Sequence, residues 1–193
     1  MRSILGGALA LLVAAMPAGA VERLPALGAG IAQTSVSGLS SGAFMAAQFQ
    51  VAFSSIVIGA GIVAGGPYGC AETWWSRRGL PTFGGWVNLG RATGTCMRAT
   101  AGGPDGASLA ARAATLAAGG SIDPVADVQG DRIYLFHGEA DSIVAQAPVT
   151  AAATFYGNLG VPAAAVRTVL SLPDGKAGHA LIVVADGNAC GLN

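Results

Sequence analysis

Residues 56–64, IVIGAGIVA, form an uninterrupted apolar run that ends at Gly65-Gly66-Pro67, and this run constrains the fold more than any other feature. A strand that is apolar at every position is typical of a parallel sheet that helices cover on both faces. Further short strands are predicted at residues 33–37, 133–136 and 166–172. Between them lie segments of helical character at residues 43–53, 105–118 and 147–159. This alternation predicts an α/β fold: a parallel sheet with right-handed crossovers and helices on both faces.

Residues 66–104 differ from the rest of the chain because they show no sustained hydrophobic period. They contain all three tryptophans, Trp74, Trp75 and Trp86, and two of the three cysteines. A segment of this length without regular structure is typical of a functional loop or lid, and the alternative is that an element in it has been misread. The tryptophans are candidates for binding an apolar substrate, since each combines a large apolar area with one polar group. Packing beneath the loop is the alternative for these side chains.

The composition fits one domain with a substantial core and excludes one class of partner. The chain has 193 residues, of which 52% are hydrophobic and 10% charged, and its formal net charge is zero. Nucleic-acid binding depends on clustered Lys and Arg, so a nucleic-acid partner is not expected. The sequence has no CxxC pair or His-rich cluster that would predict a metal, and no cofactor is predicted.

The first twenty residues have the pattern of a secretory signal peptide. Arg2 precedes an apolar run at residues 4–16, and Ala18-Gly19-Ala20 is a small-x-small cleavage site. The run is shorter than the roughly 20 residues that a membrane span needs. We therefore expect a secreted or periplasmic domain at residues 21–193, with no membrane association after cleavage. Its three cysteines would meet an oxidising compartment, and their odd number leaves at least one without a partner in the chain.

The motif Gly38-x-Ser40-x-Gly42 lies between a predicted strand and a predicted helix, which is the context of a nucleophile elbow. A serine on such a sharp turn needs small neighbours. Its position at a helix N-terminus lets the N–H of Ser41 point at a developing oxyanion. The alternative is a glycine-rich turn with a helix-capping serine. In a chain with 30 glycines, the motif alone does not separate the two.

The chain has only two histidines, which limits the choice of a base for Ser40. In hydrolases of this type the residues follow the chain order serine, acid, histidine. His179 fits as the base, and Asp141, five residues beyond the strand that ends at Phe136, fits as the acid. Asp174, in the same loop as His179, remains the alternative acid. His137, at the end of that strand, is interpreted as a structural residue.

Several segments together resemble secreted poly(3-hydroxybutyrate) depolymerases whose catalytic serine lies near the mature N-terminus. These segments are GLSSGAFMAAQ (38–48), AGGPYGCA (64–71), CM (96–97), GSID (120–123), HGEAD (137–141) and GHALI (178–182). The resemblance runs from about residue 34 to residue 190 and implies a circularly permuted α/β-hydrolase fold.

The resemblance also implies roles for individual residues: Ser40 as nucleophile, His179 as general base and acid, and Asp141 as the acid that orients His179. The implied reaction is cleavage of ester bonds in a polyester or its hydroxybutyrate oligomers through an acyl-enzyme. A disulfide between Cys70 and Cys96 is implied as well.

Members of that family continue beyond the position of Asn193, with a CNYD-like segment, an LHGC-like oxyanion motif and aromatic residues that contact substrate. These motifs do not occur here. The resemblance therefore implies that the chain corresponds to the N-terminal part of such an enzyme, incomplete as a hydrolase. It also implies that the second oxyanion donor and a partner for Cys190 would come from the later part.

Two other functions remain open at the level of sequence. One is a general carboxylesterase, similar to feruloyl esterases, that uses the same three residues on small soluble esters. The other is a non-catalytic chain that only binds apolar polymer through its tryptophan-rich segment. The sequence does not determine the oligomeric state.

Overall fold

A computed structural model describes residues 25–73, 81–173 and 176–181. The predicted signal peptide, Trp74, Trp75, Asp174 and Cys190 lie outside these residues. In chain order, the main elements are β1 (Thr34–Leu39), α1 (Ser41–Ala52), β2 (Val57–Val63), α2 (Pro81–Arg91), α3 (Gly106–Ala118), β3 (Arg132–Phe136), α4 (Gln146–Asn158) and β4 (Val166–Val169). Among the described helices, none has the length and apolar character needed to cross a membrane.

The four strands form one parallel sheet in the order β1-β2-β3-β4, which confirms the predicted α/β class. Parallel strands end at the same edge of a sheet, so the segments that follow β1, β2 and β3 gather at one edge. Two hydrogen bonds join these strand ends: Ser40 N–H donates to the carbonyl of Val63, and Ala64 N–H donates to the carbonyl of Phe136. This edge carries the candidate site.

The core lies between one face of the sheet and helices α1, α3 and α4. Ala60 and Ile62 of β2 are in register with Ile133 and Leu135 of β3, and all four are buried in the core. The helices contribute Ala43, Ala47, Val51, Leu109, Ala110, Ala113, Val149, Ala152, Phe155 and Tyr156. All three helices lie on the same face because each right-handed crossover steps to the next strand in the same direction.

The opposite face of the sheet is open in the described part of the chain. Side chains alternate along a strand, and on this face Ser37, Tyr134 and Arg167 are exposed. Ile58, where the register between β1 and β2 shifts, is exposed as well, although the all-apolar run around it predicted burial on both faces. A second layer of helices over this face therefore stays a prediction.

The prediction that residues 66–104 lack regular structure is wrong. Helix α2 occupies Pro81–Arg91, and a π-helical segment, Ala92–Arg98, continues it. Three glycines in α2 lower its intrinsic helix propensity and hide its period in the sequence. Tertiary contacts stabilise the segment instead: Arg91 Nε donates to the carbonyl of Cys70 at 2.7 Å, and a disulfide joins Cys70 to Cys96.

A buried polar network joins α1, α4 and the residue before β3, at the edge of the sheet opposite the candidate site. Gln50 Nε2 donates to Asp131 Oδ2 at 2.7 Å, and the Tyr156 hydroxyl donates to Gln50 Oε1 at 2.6 Å. All three side chains are buried. Burial raises the pKa of Asp131, and the hydrogen bond from Gln50 offsets part of that rise.

Candidate active site

Ser40 occupies a strained turn between β1 and α1. Its φ of 58° and ψ of −123° lie in a region that residues with side chains rarely adopt. The turn is held by hydrogen bonds of the Ser40 backbone: its N–H donates to Val63 O at 2.9 Å, and its carbonyl accepts from Phe44 N–H at 3.0 Å. The Ser40 side chain makes no capping hydrogen bond to α1. The structure therefore does not support the alternative in which the Ser40 hydroxyl caps α1.

The two glycines of the motif differ in what packing demands of them. A Cβ at Gly38 would collide with the backbone carbon and oxygen of Gly42 and would lie 2.7 Å from the nitrogen of Ala43. A Cβ at Gly42 would have no atom within 4 Å. Gly38 is required so that β1 can pass close to the start of α1, whereas packing in the described residues does not require Gly42.

Ser41 is the first residue of α1 and is exposed. The first N–H groups of a helix have no partner within the helix, and the helix dipole gives them partial positive charge. The backbone N–H of Ser41 therefore lies beside Ser40 at a point where an oxyanion would be stabilised. Its use in catalysis stays a prediction.

Asp141 and His179 form a direct hydrogen bond, with 2.9 Å between His179 Nδ1 and Asp141 Oδ2. The Asp141 side chain is fully buried, and 13% of the His179 side chain is exposed. Asp141 Oδ1 also accepts the backbone N–H groups of Ile143 and Val144, each at 2.9 Å. Because a carboxylate accepts, Nδ1 of His179 carries the proton, which leaves Nε2 able to accept one. The alternative acid, Asp174, lies outside the described residues.

The loop that carries His179 packs directly on the loop that carries Asp141. Ala140 N–H donates to the carbonyl of Ala177 at 2.8 Å. A Cβ at Gly138 would collide with that same carbonyl oxygen and would lie 2.7 Å from Gly178 O. The glycine of the HGEAD segment therefore permits the close approach of the two loops. Sequence reasoning did not assign this role to Gly138.

A cavity of about 390 Å³ opens beside Ser40 and Ser41. Its other lining residues are Phe44, Met45, Gln48, Gly69, Cys70, Ala71, Glu72, Ala92, Thr93, Cys96, Met97 and Val144. Most of these side chains are apolar, and both half-cystines are among them. Val144 connects this cavity to the acid, because its N–H donates to Asp141. Ser40 and the Asp141–His179 pair therefore lie at the same edge of the sheet, and their action as one site stays a prediction.

The disulfide between Cys70 and Cys96 is present, which confirms the predicted pairing. Trp86 lies on α2 with 74% of its area exposed, and it is not part of the cavity lining. Contact of Trp74, Trp75 and Trp86 with substrate stays a prediction, and the first two lie outside the described residues. No group of three or more His, Cys, Asp or Glu within residues 25–73, 81–173 and 176–181 has the arrangement of a metal site.

Comparison with known proteins places the chain among its relatives. No profile of a known protein family matches it. A poly(3-hydroxybutyrate) depolymerase of Delftia acidovorans is 44% identical over 172 residues, which is 89% of this chain and 31% of that protein. Over most of its length the chain is similar to poly(3-hydroxybutyrate) depolymerases. A polyhydroxybutyrate depolymerase of Talaromyces funiculosus is 52% identical over 54 residues, 28% of this chain and 16% of that depolymerase.

Two solved depolymerase structures share the fold. One is the crystal structure of the PHB depolymerase from Penicillium funiculosum, and the other is a PHB depolymerase with a serine-to-alanine substitution complexed with an R3HB trimer. Each superposes with a TM-score of 0.61 at 29% sequence identity, over 82% of this chain and 43% of the solved chain. The chain thus spans about one third of the Delftia depolymerase and less than half of the solved ones.

Proposed function

We propose that Ser40, His179 and Asp141 are the catalytic triad of a serine esterase that hydrolyses poly(3-hydroxybutyrate) or its oligomers. The observation that carries this proposal is the 2.9 Å hydrogen bond between His179 Nδ1 and Asp141 Oδ2, at the edge of the sheet where Ser40 lies. Similarity to the Delftia depolymerase over 89% of the chain supports the ester class of the substrate. The strained turn at Ser40 supports its role as nucleophile.

The first half of the reaction forms an acyl-enzyme. Ser40 Oγ attacks the ester carbonyl carbon while His179 Nε2 takes the hydroxyl proton, and the carbonyl electrons move onto oxygen. The N–H of Ser41 donates to this oxyanion. The tetrahedral intermediate then breaks its bond to the alcohol oxygen. His179 gives its proton to the departing alcohol, and the acyl group stays on Ser40.

The second half repeats these steps with water. His179 Nε2 takes a proton from water, the oxygen of which attacks the acyl carbon, and the proton then returns to Ser40 Oγ as the acid leaves. Asp141 holds the imidazole in the Nδ1–H tautomer and stabilises the imidazolium that forms twice in each cycle. The amides of Ile143 and Val144 keep the carboxylate in place for this task.

The cavity beside Ser40 supports a short, mostly apolar acyl group as substrate. A volume of about 390 Å³ can hold a hydroxyalkanoate unit, and the apolar walls favour its methyl and methylene groups. The exposed indole of Trp86 supports contact with an apolar polymer outside the cavity. A small soluble ester would fit the same cavity, so polymer and small esters need separate assays.

We also propose that the protein is secreted. The pattern of residues 1–20 is that of a signal peptide, and the disulfide between Cys70 and Cys96 suits an oxidising compartment.

The test is hydrolysis of 4-nitrophenyl butyrate by the chain and by two serine variants. Ser40→Ala should remove turnover, whereas Ser35→Ala should leave it unchanged, because Ser35 is exposed on β1 away from the site. Clearing of suspended poly(3-hydroxybutyrate) is measured on the same samples. Activity on the soluble ester without clearing would favour the general carboxylesterase. Equal rates for the folded wild type and Ser40→Ala would reject the proposal.

A further inference from the structure

The side chain of His137 takes no part in the proposed reaction, yet it is buried within the site's architecture. Only 5% of the residue is exposed, and Nε2 lies 2.9 Å from the carbonyl oxygen of Val144. A carbonyl oxygen can only accept, so Nε2 carries the proton and Nδ1 is the acceptor nitrogen. Nδ1 is buried and has no hydrogen-bond partner among the described residues. The ring is therefore held in one tautomer by one hydrogen bond.

Val144, the partner of His137, also contacts the two functional parts of the site. Its backbone N–H donates to Asp141 Oδ1 at 2.9 Å, and its side chain lines the cavity beside Ser40. Val144 is 1% exposed, so water does not replace either backbone contact. The orientation of this one residue therefore affects both the carboxylate that orients His179 and the wall of the cavity.

We propose that His137 is a positioning residue for the esterase reaction. This proposal rests on the proposed function of the site. The imidazole holds the carbonyl of Val144 and thereby keeps the N–H of the same residue directed at Asp141 Oδ1. Without this donor, the buried carbonyl loses its partner, and the loop can rearrange to find another. Asp141 would then lose one of its two backbone donors.

The strand itself does not depend on the His137 side chain. The backbone N–H of His137 donates to the carbonyl of Val169 on β4 at 3.0 Å, as part of the sheet. At the far end of the loop, Ala145 N–H donates to the carbonyl of Met97 at 2.8 Å. With both ends anchored, loss of the imidazole changes the position of Asp141 and Val144 more than it changes the fold.

Nuclear magnetic resonance tests this arrangement without any need for turnover. The chain has two histidines, so selective ¹⁵N labelling of histidine gives two ring spectra, and His137→Gln identifies which belongs to His137. We expect the His137 ring in the Nε2–H tautomer. We also expect a downfield signal from the His179 Nδ1 proton shared with Asp141. His137→Leu should shift or broaden that signal, and His137→Gln, which keeps a donor for Val144, should retain it.

Kinetics provides the second readout. His137→Leu should lower kcat by ~10- to 100-fold, because a shift of about 1 Å at a catalytic group costs this much. KM should change less than kcat, since among the residues that line the cavity the change acts on Val144. His137→Asn, whose amide nitrogen stands near the Nδ1 position and away from Val144, should behave like His137→Leu. His137→Gln should keep kcat within ~3-fold of the wild type.

Tyr156→Phe is the matched control, because it removes one buried hydrogen bond at the opposite edge of the sheet. It should lower stability without a change in kcat. The proposal is overturned if His137→Gln and His137→Leu lose kcat equally, or if the His179 signal is unchanged in His137→Leu. An Nδ1–H tautomer at His137 would overturn it as well. If wild type and Ser40→Ala are equally inactive, the proposed function fails, and the resonance data alone decide whether His137 positions Asp141.

Discussion

The carbonyl oxygen of Ala177 lies directly against Gly138, in the space that a Cβ at position 138 would occupy. Gly138 is three residues before Asp141, and Ala177 is two residues before His179. The same carbonyl accepts the N–H of Ala140 at 2.8 Å. This backbone contact therefore sets the distance at which Asp141 and His179 meet.

Substitution of Gly138 by alanine tests the contact. The added methyl group should push the loop of His179 away from Asp141 and lower kcat/KM by about 100-fold, as expected for a displaced catalytic group. Hydrolysis of 4-nitrophenyl butyrate measures the effect. Gly157→Ala is the control, since a Cβ there meets nothing within 4 Å and Gly157 lies in α4, far from this contact. Wild-type activity in Gly138→Ala would show that the loops adjust freely.

Asp141→Asn should reduce kcat by about 10⁴-fold with little change in KM, because an amide does not hold His179 in the required tautomer. Steady-state kinetics on the soluble ester measures both constants. Asp174→Asn tests the alternative acid, which the sequence analysis assigned to the same loop as His179, and this variant should retain activity. A loss in Asp174→Asn together with an active Asp141→Asn would reverse the assignment.

The disulfide between Cys70 and Cys96 closes a loop across a sequence separation of 26 residues. Its removal in the double variant Cys70→Ala/Cys96→Ala should lower the free energy of unfolding by about 2–4 kcal/mol, since the unfolded chain gains conformational entropy. Urea unfolding measures the loss, and dithiothreitol should lower the stability of the wild type while leaving the double variant unchanged. Equal stability of the oxidised wild type and the double variant would contradict this expectation.

Burial raises the pKa of Asp131 above its ordinary value of 3.8, and the nearby charge of Asp127 adds to the rise. Between the ordinary and the raised value, the folded state binds more protons than the unfolded state. The free energy of unfolding contributed by Asp131 therefore falls as the pH rises through this window. Asp131→Asn, which can still accept from Gln50, should lack this fall. Urea unfolding of the wild type and Asp131→Asn from pH 4 to pH 8 measures this pH dependence. The same dependence of the free energy of unfolding on pH in both proteins would contradict the expectation.

Much of the fold could be predicted from the sequence because strands and helices have local signatures. The apolar run around β2 and the alternation of strands with helices predicted the α/β class, and helix α1 was predicted to within two residues of its observed bounds, Ser41–Ala52. Helix α2 was missed because its glycines conceal the period. Contacts of Arg91 and the disulfide, which are distant in sequence, stabilise that segment.

The sequence by itself determined the order of the strands and of the helices other than α2, and the sharp turn at Ser40, since these depend on neighbours within a few residues. Asp141 could be ranked above Asp174 from chain order, but its contact with His179 spans 38 residues of sequence. Only the tertiary structure decided that contact, the link from His137 through Val144, and the cavity beside Ser40. The physical reason is that these groups meet only where parallel strands end at a common edge and where Gly138 leaves room for the second loop.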